Sequence, residues 1–420
     1  HKQGWTWTGS QVEHIESEDE EVVIVGISGN TLTIDRPLQY DHDVPRDDLA
    51  AYVANMTRNV TFSSEGGDEL PAHQRGHVMF MHSDDVDVRY AAFDDLGRTD
   101  KSRPAFDVDA LTSIAADSNI KGRYSFHLHK TGTADQDNPA VALGNVVDGS
   151  PGWGFVHHSS HADFVGNVAF DVFGAAFAAE DGDETGSWVQ NIAINAQGIG
   201  YGDFTVKEQG DVARHDNGRT GDGYFFAGRL IEPAENVAAN TTHGFVWMHR
   251  SAPADPLAAN LDQPEIAYGS ETVDVQRPVI QGFRDNEAFG TQAGIIVVKA
   301  NSAQGHDVRS IFDGFLNWET SQGADITYTA HYTLKNFDLI GTDNTAPVAR
   351  ALFGLRIGGN AFDIVTNNFS IDGFKTGVDL STNRFTFPVA DSEMGHVLID
   401  MTQRNVGSEY VGFDPARHQI

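Results

Sequence analysis

GNVVDGSPGWGFVHH, residues 144–158, and GNVAFDVFGAAFAAE, residues 166–180, are two copies of one pattern. A spacing of 22 residues places Gly144 on Gly166 and superimposes the apolar positions that follow. A unit this short, made of apolar runs separated by Gly and Asn, cannot bury a core alone, so copies must stack on one another. The pattern therefore predicts an all-β fold, a right-handed parallel β-helix with 22 residues per coil.

Fragments of the same unit recur along the chain. They are QNIAIN at 190, GYFFAG at 223, ENVAAN at 235, HGFVWMH at 243, AGIIVVK at 293 and NNFSIDGFKTGVDL at 367. Leucine-rich repeats have a similar period, but their leucine framework is absent, and two-residue hairpin signals for a propeller are sparse. We expect a β-rich N-terminal segment at 1–55, the β-helix at 56–383 and a C-terminal cap at 384–420.

Composition narrows the class of protein. The chain has 420 residues and a formal net charge of −32, which argues against nucleic acid as a partner. It has no cysteine, so thiolate chemistry and a disulfide framework are excluded. No apolar run approaches the length of a membrane span. We expect a secreted, monomeric protein whose signal peptide is not part of this sequence.

The strand-like stretch RYSFHLHK, residues 123–130, carries two imidazoles on one side of the backbone. Side chains alternate across a strand, so if Phe126 and Leu128 face a core, His127 and His129 both face outward. Two such rings next to basic residues serve no evident packing need. They are candidates for metal binding or proton transfer, although histidines also form hydrogen bonds along β-helices for purely structural reasons.

The 22-residue spacing places His158 beside Glu180 on the neighbouring coil, and only one of His157 and His158 can point outward. We expect a divalent ion, either Ca²⁺ or a transition metal such as Zn²⁺ that imidazoles bind. The candidate metal ligands are His82, His127, His129, His157 and His158.

The turn FDDLGRTDKSRP, residues 93–104, crowds mixed charges around Gly97 beyond what turn chemistry requires. Paired carboxylates are the usual acid and base of glycosidic cleavage. The candidate catalytic residues are Asp94, Asp95, His127 and Glu180. The candidate substrate-binding residues are Arg98, Lys101, Arg123, Lys130 and Trp153.

Six stretches, in chain order, resemble the β-helix core that follows the G8 domain in the cell-surface hyaluronidase family. They are ANMTRNVTF, RGHVMFMH, YAAFDDLGRTDK, RYSFHLHK, GNVVDGSPGWGFVHHSS and NVAFDVFGAAFAAEDGDE. The similarity covers about residues 20–200 and fades beyond them. It implies an extracellular, endo-acting enzyme on hyaluronan or a related anionic glycan, with a Ca²⁺ requirement in animal members.

Three functions are consistent with these features. The first is a glycoside hydrolase that acts on a uronate-containing polysaccharide. The second is a polysaccharide lyase, in which His127 would abstract the proton next to a uronate carboxyl group that Arg123 neutralises. The third is a non-catalytic glycan-binding or adhesion β-helix, because a fold alone does not fix a function.

Overall fold

The structure is a computed structural model of the chain. It describes residues 17–83, 85–108, 113–133, 137–199, 217–248, 272–298, 306–341, 352–359 and 361–380, single residues 111 and 135, and short strands at 5–8, 11–14, 257–258, 396–398 and 401–404.

Strands dominate the described residues. In chain order they are β1 Trp5–Thr8, β2 Gln11–His14, β3 Ile24–Ser28, β4 Thr31–Ile34, β5 Val60–Ser63, β6 Met79–Met81, β7 Asp87–Arg89, β8 Ala91–Asp94, β9 Phe126–Gly132, β10 Ala140–Leu143, β11 Val146–Ser150, β12 Phe155–Val165, β13 Val168–Phe173, β14 Ala175–Ala179, β15 Thr185–Val189, β16 Ile192–Gln197, β17 Asp222–Phe226, β18 Ile231–Ala234, β19 Val237–Ala239, β20 His243–Met248, β21 Leu257–Ala258, β22 Thr272–Val273, β23 Arg284–Phe289, β24 Ala293–Val298, β25 Ser310–Thr320, β26 Gln322–Thr327, β27 Ala330–Gly341, β28 Phe353–Ile357, β29 Phe362–Asp372, β30 Thr376–Asp379, β31 His396–Leu398 and β32 Met401–Arg404. Two 3-10 turns, Gly67–Glu69 and Ala72–Gln74, precede β6. Within the described ranges, no helical segment has the length and hydropathy of a membrane span.

Parallel pairing arranges these strands in three sheets that run the length of the solenoid. The first sheet contains β7, β10, β12, β15, β18, β23, β25, β27, β29 and β31. The second contains β5, β8, β11, β13, β16, β19, β23, β25, β27, β29 and β32. The third contains β6, β9, β12, β14, β17, β20, β24, β26, β28 and β30. Long strands such as β12 turn a corner and serve two sheets, so the chain is a parallel β-helix, as predicted.

The predicted coil length holds where the two quoted repeats stack. Phe155 on β12 is the register partner of Phe177 on β14, 22 residues later. Elsewhere the coils are longer: His243 on β20 pairs with Ala293 on β24, 50 residues later, because additional chain is inserted between those rungs. The spacing is therefore a minimum coil, and loops extend it.

Aromatic rings and an asparagine ladder fill the interior. Phe155, Phe177, Tyr224 and Phe245 stack on four successive rungs of the third sheet with ring centroids 4.7–5.0 Å apart. The ladder lies at the corner between the first and second sheets, and all its members are buried. Its members are Asn145, Asn167, Asn191, Asn236 and Asn286. Each amide bonds the next rung, which satisfies the buried polar groups of the corner.

Residues 44–58, which we call the strap, lie along the outside of the solenoid. Leu49 packs against Phe289 and Trp318, and Arg58 Nε donates to the Gly144 carbonyl at 2.6 Å. The strap therefore contacts rungs that are far apart along the solenoid. Upstream of the strap, β3 and β4 form an antiparallel hairpin. At the other end, β31 and β32 continue the ladder from β29, and the rest of the expected C-terminal cap lies outside the described residues.

Candidate functional site

Three successive rungs of the third sheet carry the candidate site. His127 and His129 lie on β9, and His158 on β12 is the register partner of His129. Glu180 directly follows β14, and its N–H donates to the His157 carbonyl at 3.1 Å. Adjacent rungs are about 4.8 Å apart. Stacking therefore brings together side chains that are far apart in the sequence.

The side chains of this group meet at one point. One ring nitrogen from each of His127, His129 and His158 lies within 4.8 Å of the others. His158 Nδ1 is 3.0 Å from His129 Nδ1 and 3.2 Å from Glu180 Oε2. His127 Nε2 is 3.7 Å from the same carboxylate oxygen. We call these four residues the His–Glu cluster.

Outer hydrogen bonds fix the tautomers of two rings. His127 Nδ1 lies 2.8 Å from the Gly122 carbonyl, which can only accept, so Nδ1 carries the hydrogen. His158 Nε2 donates to Asp181 Oδ2 at 2.8 Å in the same way. His127 Nε2 and Glu180 Oε2 are both buried and have no hydrogen-bond partner. The cluster thus directs a lone pair and a carboxylate oxygen at each other.

Burial and mutual charge set the ionisation of the cluster. Burial lowers the pKa of His127 to about 4. Burial and the nearby His158 lower the pKa of His129. Burial also opposes the charge on His158, but Glu180 and Asp181 outweigh it and raise the pKa of that imidazole well above its ordinary value. The charges are therefore concentrated on His158 and its two carboxylates, and His127 and His129 are neutral donors at neutral pH.

The turn after Glu180 presents the second carboxylate. Buried Glu184 accepts the N–H groups of Asp181 at 2.7 Å and of Ser159 at 3.2 Å. Ser159 Oγ donates to Asp181 Oδ2 at 3.1 Å, beside the bond from His158. Sequence reasoning missed Asp181 as a site residue, although the 22-residue spacing that aligned Glu180 also places it next to Ser159.

Two of the predicted metal ligands lie apart from the cluster. His157 faces the core, where its ring stacks on Phe164 at 5.2 Å and Nε2 donates to the Ser160 carbonyl at 2.7 Å. It cannot share the site, because neighbours on a strand point to opposite faces. His82 is exposed and lies at the edge of the cluster, 5.9 Å from the ring of His129.

Asp94 and Asp95 belong to the second sheet rather than to the His–Glu cluster. Asp94 ends β8 and is the register partner of Asp148 on β11. Burial and the carboxylates around it, led by Glu21, Asp94 and Asp171, raise the pKa of Asp148 to about 7. None of these neighbours is a histidine. The four residues predicted to be catalytic are therefore divided between two sheets.

Arg98, Arg123 and His77 form a cationic cluster next to the site. The Arg98 N–H donates to the Arg123 carbonyl at 2.7 Å. Burial and the two guanidinium groups lower the pKa of His77, and Arg98 Nε is buried with no hydrogen-bond partner. Among the described residues neither guanidinium has an ion-pair partner. Gly122, which holds His127, directly precedes Arg123, so this cluster lies beside the imidazoles.

The other predicted substrate-binding residues have different surroundings. Lys101 and Trp153 are 1% and 3% exposed, so a glycan cannot stack on them as expected. Lys101 Nζ lies 3.7 Å above the Trp153 ring, which also stacks on Tyr124 at 4.8 Å. A buried ammonium is stabilised by the face of an aromatic ring, which explains this arrangement. Lys130 is exposed, at a left-handed backbone position with φ 55° that ends the histidine strand.

Comparisons with known proteins agree with part of the predicted resemblance. No family model matches the chain. A G8 domain-containing protein of Dictyostelium discoideum is 26% identical over 246 residues, which is 56% of this chain and 20% of that protein. A second one from the same organism is 25% identical over 250 residues, 59% of this chain and 15% of that protein. The similarity to G8 domain-containing proteins is confirmed, and the chain spans well under two thirds of their length.

Among solved structures, the catalytic domain of a GH87 alpha-1,3-glucanase in complex with nigerose covers 86% of this chain and 67% of its own, with 12% sequence identity and a TM-score of 0.30. A likeness this distant carries no argument about activity. The assignment of the fold rests on the strand pairing, and the chain is similar to G8 domain-containing proteins in sequence.

Proposed function

We propose that this chain is an extracellular, endo-acting glycoside hydrolase that cleaves hyaluronan or a related uronate-containing polysaccharide. The observation that carries the proposal is the convergence of His127, His129, His158 and Glu180 from three successive rungs. A solenoid offers a long outer wall along which a polymer can lie, and internal cleavage requires a site that is open at both ends. The sequence resemblance to the G8-domain hyaluronidases supports the same substrate class.

The chemistry assigned to the site follows from exposure. Glu180 is held in its ionised form: burial opposes this, but the charged His158 next to it lowers the carboxyl pKa. Asp181 is the more open carboxylate, 33% exposed, and its Oδ1 makes no hydrogen bond within the described residues. We assign Asp181 the part of the base that accepts a proton from water. A bound divalent ion would supply Lewis acidity at the glycosidic oxygen.

The cationic cluster would hold the uronate. Arg98 and Arg123 lack carboxylate partners in a chain of net charge −32. Guanidinium groups bind carboxylates through paired hydrogen bonds, and charge-assisted bonds of this kind are stronger than neutral ones. Because this cluster borders the histidine strand, a bound uronate would place its glycosidic bond next to the His–Glu cluster.

The test is cleavage of a panel of uronate-containing and neutral polysaccharides by the purified chain, followed by chain length and reducing ends. We expect uronate polymers to shorten and Glu180→Gln to lower the rate at least 100-fold. Asp148→Asn, a carboxylate variant on the second sheet, is the matched control and should retain activity. The double variant Arg98→Gln, Arg123→Gln should raise KM for uronate polymers.

Other outcomes would separate the alternatives. Products with the ultraviolet absorbance of an unsaturated uronate would indicate a lyase, although His127 has no exposed surface from which to act as its base. Binding without any loss of chain length across the panel would indicate the adhesion module and would exclude the hydrolase.

A further inference from the structure

The His–Glu cluster has the donor set of a metal centre, and the donors themselves favour one class of ion. Three of the four converging atoms are imidazole nitrogens, and the fourth is a carboxylate oxygen. Calcium takes six to eight oxygen ligands, whereas imidazole is a ligand of zinc, copper, iron and nickel. We infer that His127, His129, His158 and Glu180 bind a first-row transition ion of the Zn²⁺ class, and not Ca²⁺.

The unpaired atoms of the cluster support a cation. His127 Nε2 and Glu180 Oε2 face each other at 3.7 Å, too far apart for a hydrogen bond, and both are buried with no partner. A buried polar atom without a partner is unfavourable by about 1–3 kcal/mol. An ion bound between the nitrogen lone pair and the carboxylate oxygen satisfies both atoms at once.

The outer hydrogen bonds are those that metal-binding histidines usually make. A metal-bound imidazole donates its other N–H to a carbonyl or a carboxylate, which orients the ring. His127 does so to Gly122 at 2.8 Å and His158 does so to Asp181 at 2.8 Å. Both inner nitrogens, His127 Nε2 and His158 Nδ1, are therefore left to bind the ion. Ion binding displaces the inner proton of His158, as ligation by an imidazole requires.

Alternative roles for the cluster explain less of this geometry. A purely structural group of histidines would pair its buried atoms internally, and His127 Nε2 is not paired. A single proton shared by His158 and Glu180 would leave His127 facing the carboxylate without a donor. The ion also identifies Asp181 as a positioning residue, which acts on the metal through the His158 ring.

The experiment measures metal binding by the full chain without any glycan, so it can fail or succeed independently of the proposed hydrolase. The chelator-treated protein is titrated with Zn²⁺, with Co²⁺ and with Ca²⁺ by calorimetry. We expect one equivalent of Zn²⁺ to bind. Co²⁺ should bind with the visible absorption bands of a low-coordinate site, and an excess of Ca²⁺ should not displace it.

Variants locate the ion. Glu180→Gln and His129→Asn, which preserve side-chain size, should each weaken Zn²⁺ binding at least 100-fold, and Asp181→Asn should weaken it about 10–100-fold. His161→Asn is the control, because His161 faces out on the first sheet and bonds Thr185 Oγ1 at 2.9 Å. Circular dichroism checks that each variant is folded.

Three results would overturn the inference. They are no stoichiometric binding of Zn²⁺ or Co²⁺ to the wild-type chain, equal affinity for Ca²⁺, and unchanged Zn²⁺ affinity in both Glu180→Gln and His129→Asn. If Zn²⁺ binds as expected but no polysaccharide is cleaved, the metal site stands and the hydrolase proposal falls.

Discussion

At the scale of single residues, the direction in which a histidine points determines what it can do. His157 and His158 are adjacent, but the first lies among aromatic core residues and the second pairs with Glu180 and Asp181. Burial lowers the pKa of His157 to about 3. It raises no charge in the core at neutral pH, and its proton uptake becomes a term in the stability of the fold.

That term gives a pH prediction. Unfolded His157 gains a proton near its ordinary pKa of 6.5, whereas the folded residue does so only near 3. The stability it contributes is therefore complete above pH 6.5 and is lost as the pH falls toward 3. Between pH 7 and pH 4 we expect His157→Phe to lose less stability than the wild type, by on the order of 3 kcal/mol. Urea unfolding at both pH values measures it.

His161→Asn serves as the comparison, since His161 is half-buried and bonded to a hydroxyl group. It should follow the wild-type pH dependence. Parallel losses in the wild type and in His157→Phe would contradict the buried neutral imidazole.

At the scale of elements, the asparagine ladder joins the rungs as firmly as the strands do. Asn191 Oδ1 accepts the Asn167 N–H and side-chain amide, each at 2.9 Å, and Asn191 Nδ2 donates to the Phe164 carbonyl at 2.8 Å. Asn317 lies at a later rung and is equally buried, but its Oδ1 has no hydrogen-bond partner. The two residues differ in the number of bonds they make rather than in burial.

This difference predicts unequal effects of the same substitution. Asn191→Ala leaves several buried groups unpaired and should lower the free energy of unfolding by about 3–5 kcal/mol, whereas Asn317→Ala should lower it by about 1–2 kcal/mol. Guanidinium unfolding of both variants and the wild type gives the comparison. Equal losses would mean that the ladder contributes packing and not hydrogen bonds.

At the scale of the whole molecule, the strap couples rungs that a solenoid leaves independent. In stacked repeats each coil contacts only its neighbours. The strap pairs Arg46 with Asp338 on β27, stacks Tyr52 on Phe289 of β23, and reaches Gly144 through Arg58. Long-range coupling of this kind favours unfolding as one unit.

Weakening the strap tests that coupling. In the double variant Leu49→Ala, Tyr52→Ala we expect a loss of about 2–4 kcal/mol from the lost packing. Amide exchange should become faster on β23, β25 and β27 and change little on β9, β12 and β14. Tyr40→Ala is the control, because Tyr40 is 41% exposed. Uniformly faster exchange along the solenoid would show that the strap stabilises all rungs alike.

The sequence by itself determined the parallel β-helix, the outward direction of His127 and His129, and the alignment of His158 with Glu180. These follow from two local periods, the alternation of a strand and the 22-residue repeat, which need no knowledge of loops. Only the tertiary structure separated Asp94 from the histidines, buried Lys101 under Trp153 and brought Asp181 and the unpaired arginines to the site. Turns and insertions set those positions, and their paths depend on packing between distant segments that no local pattern encodes.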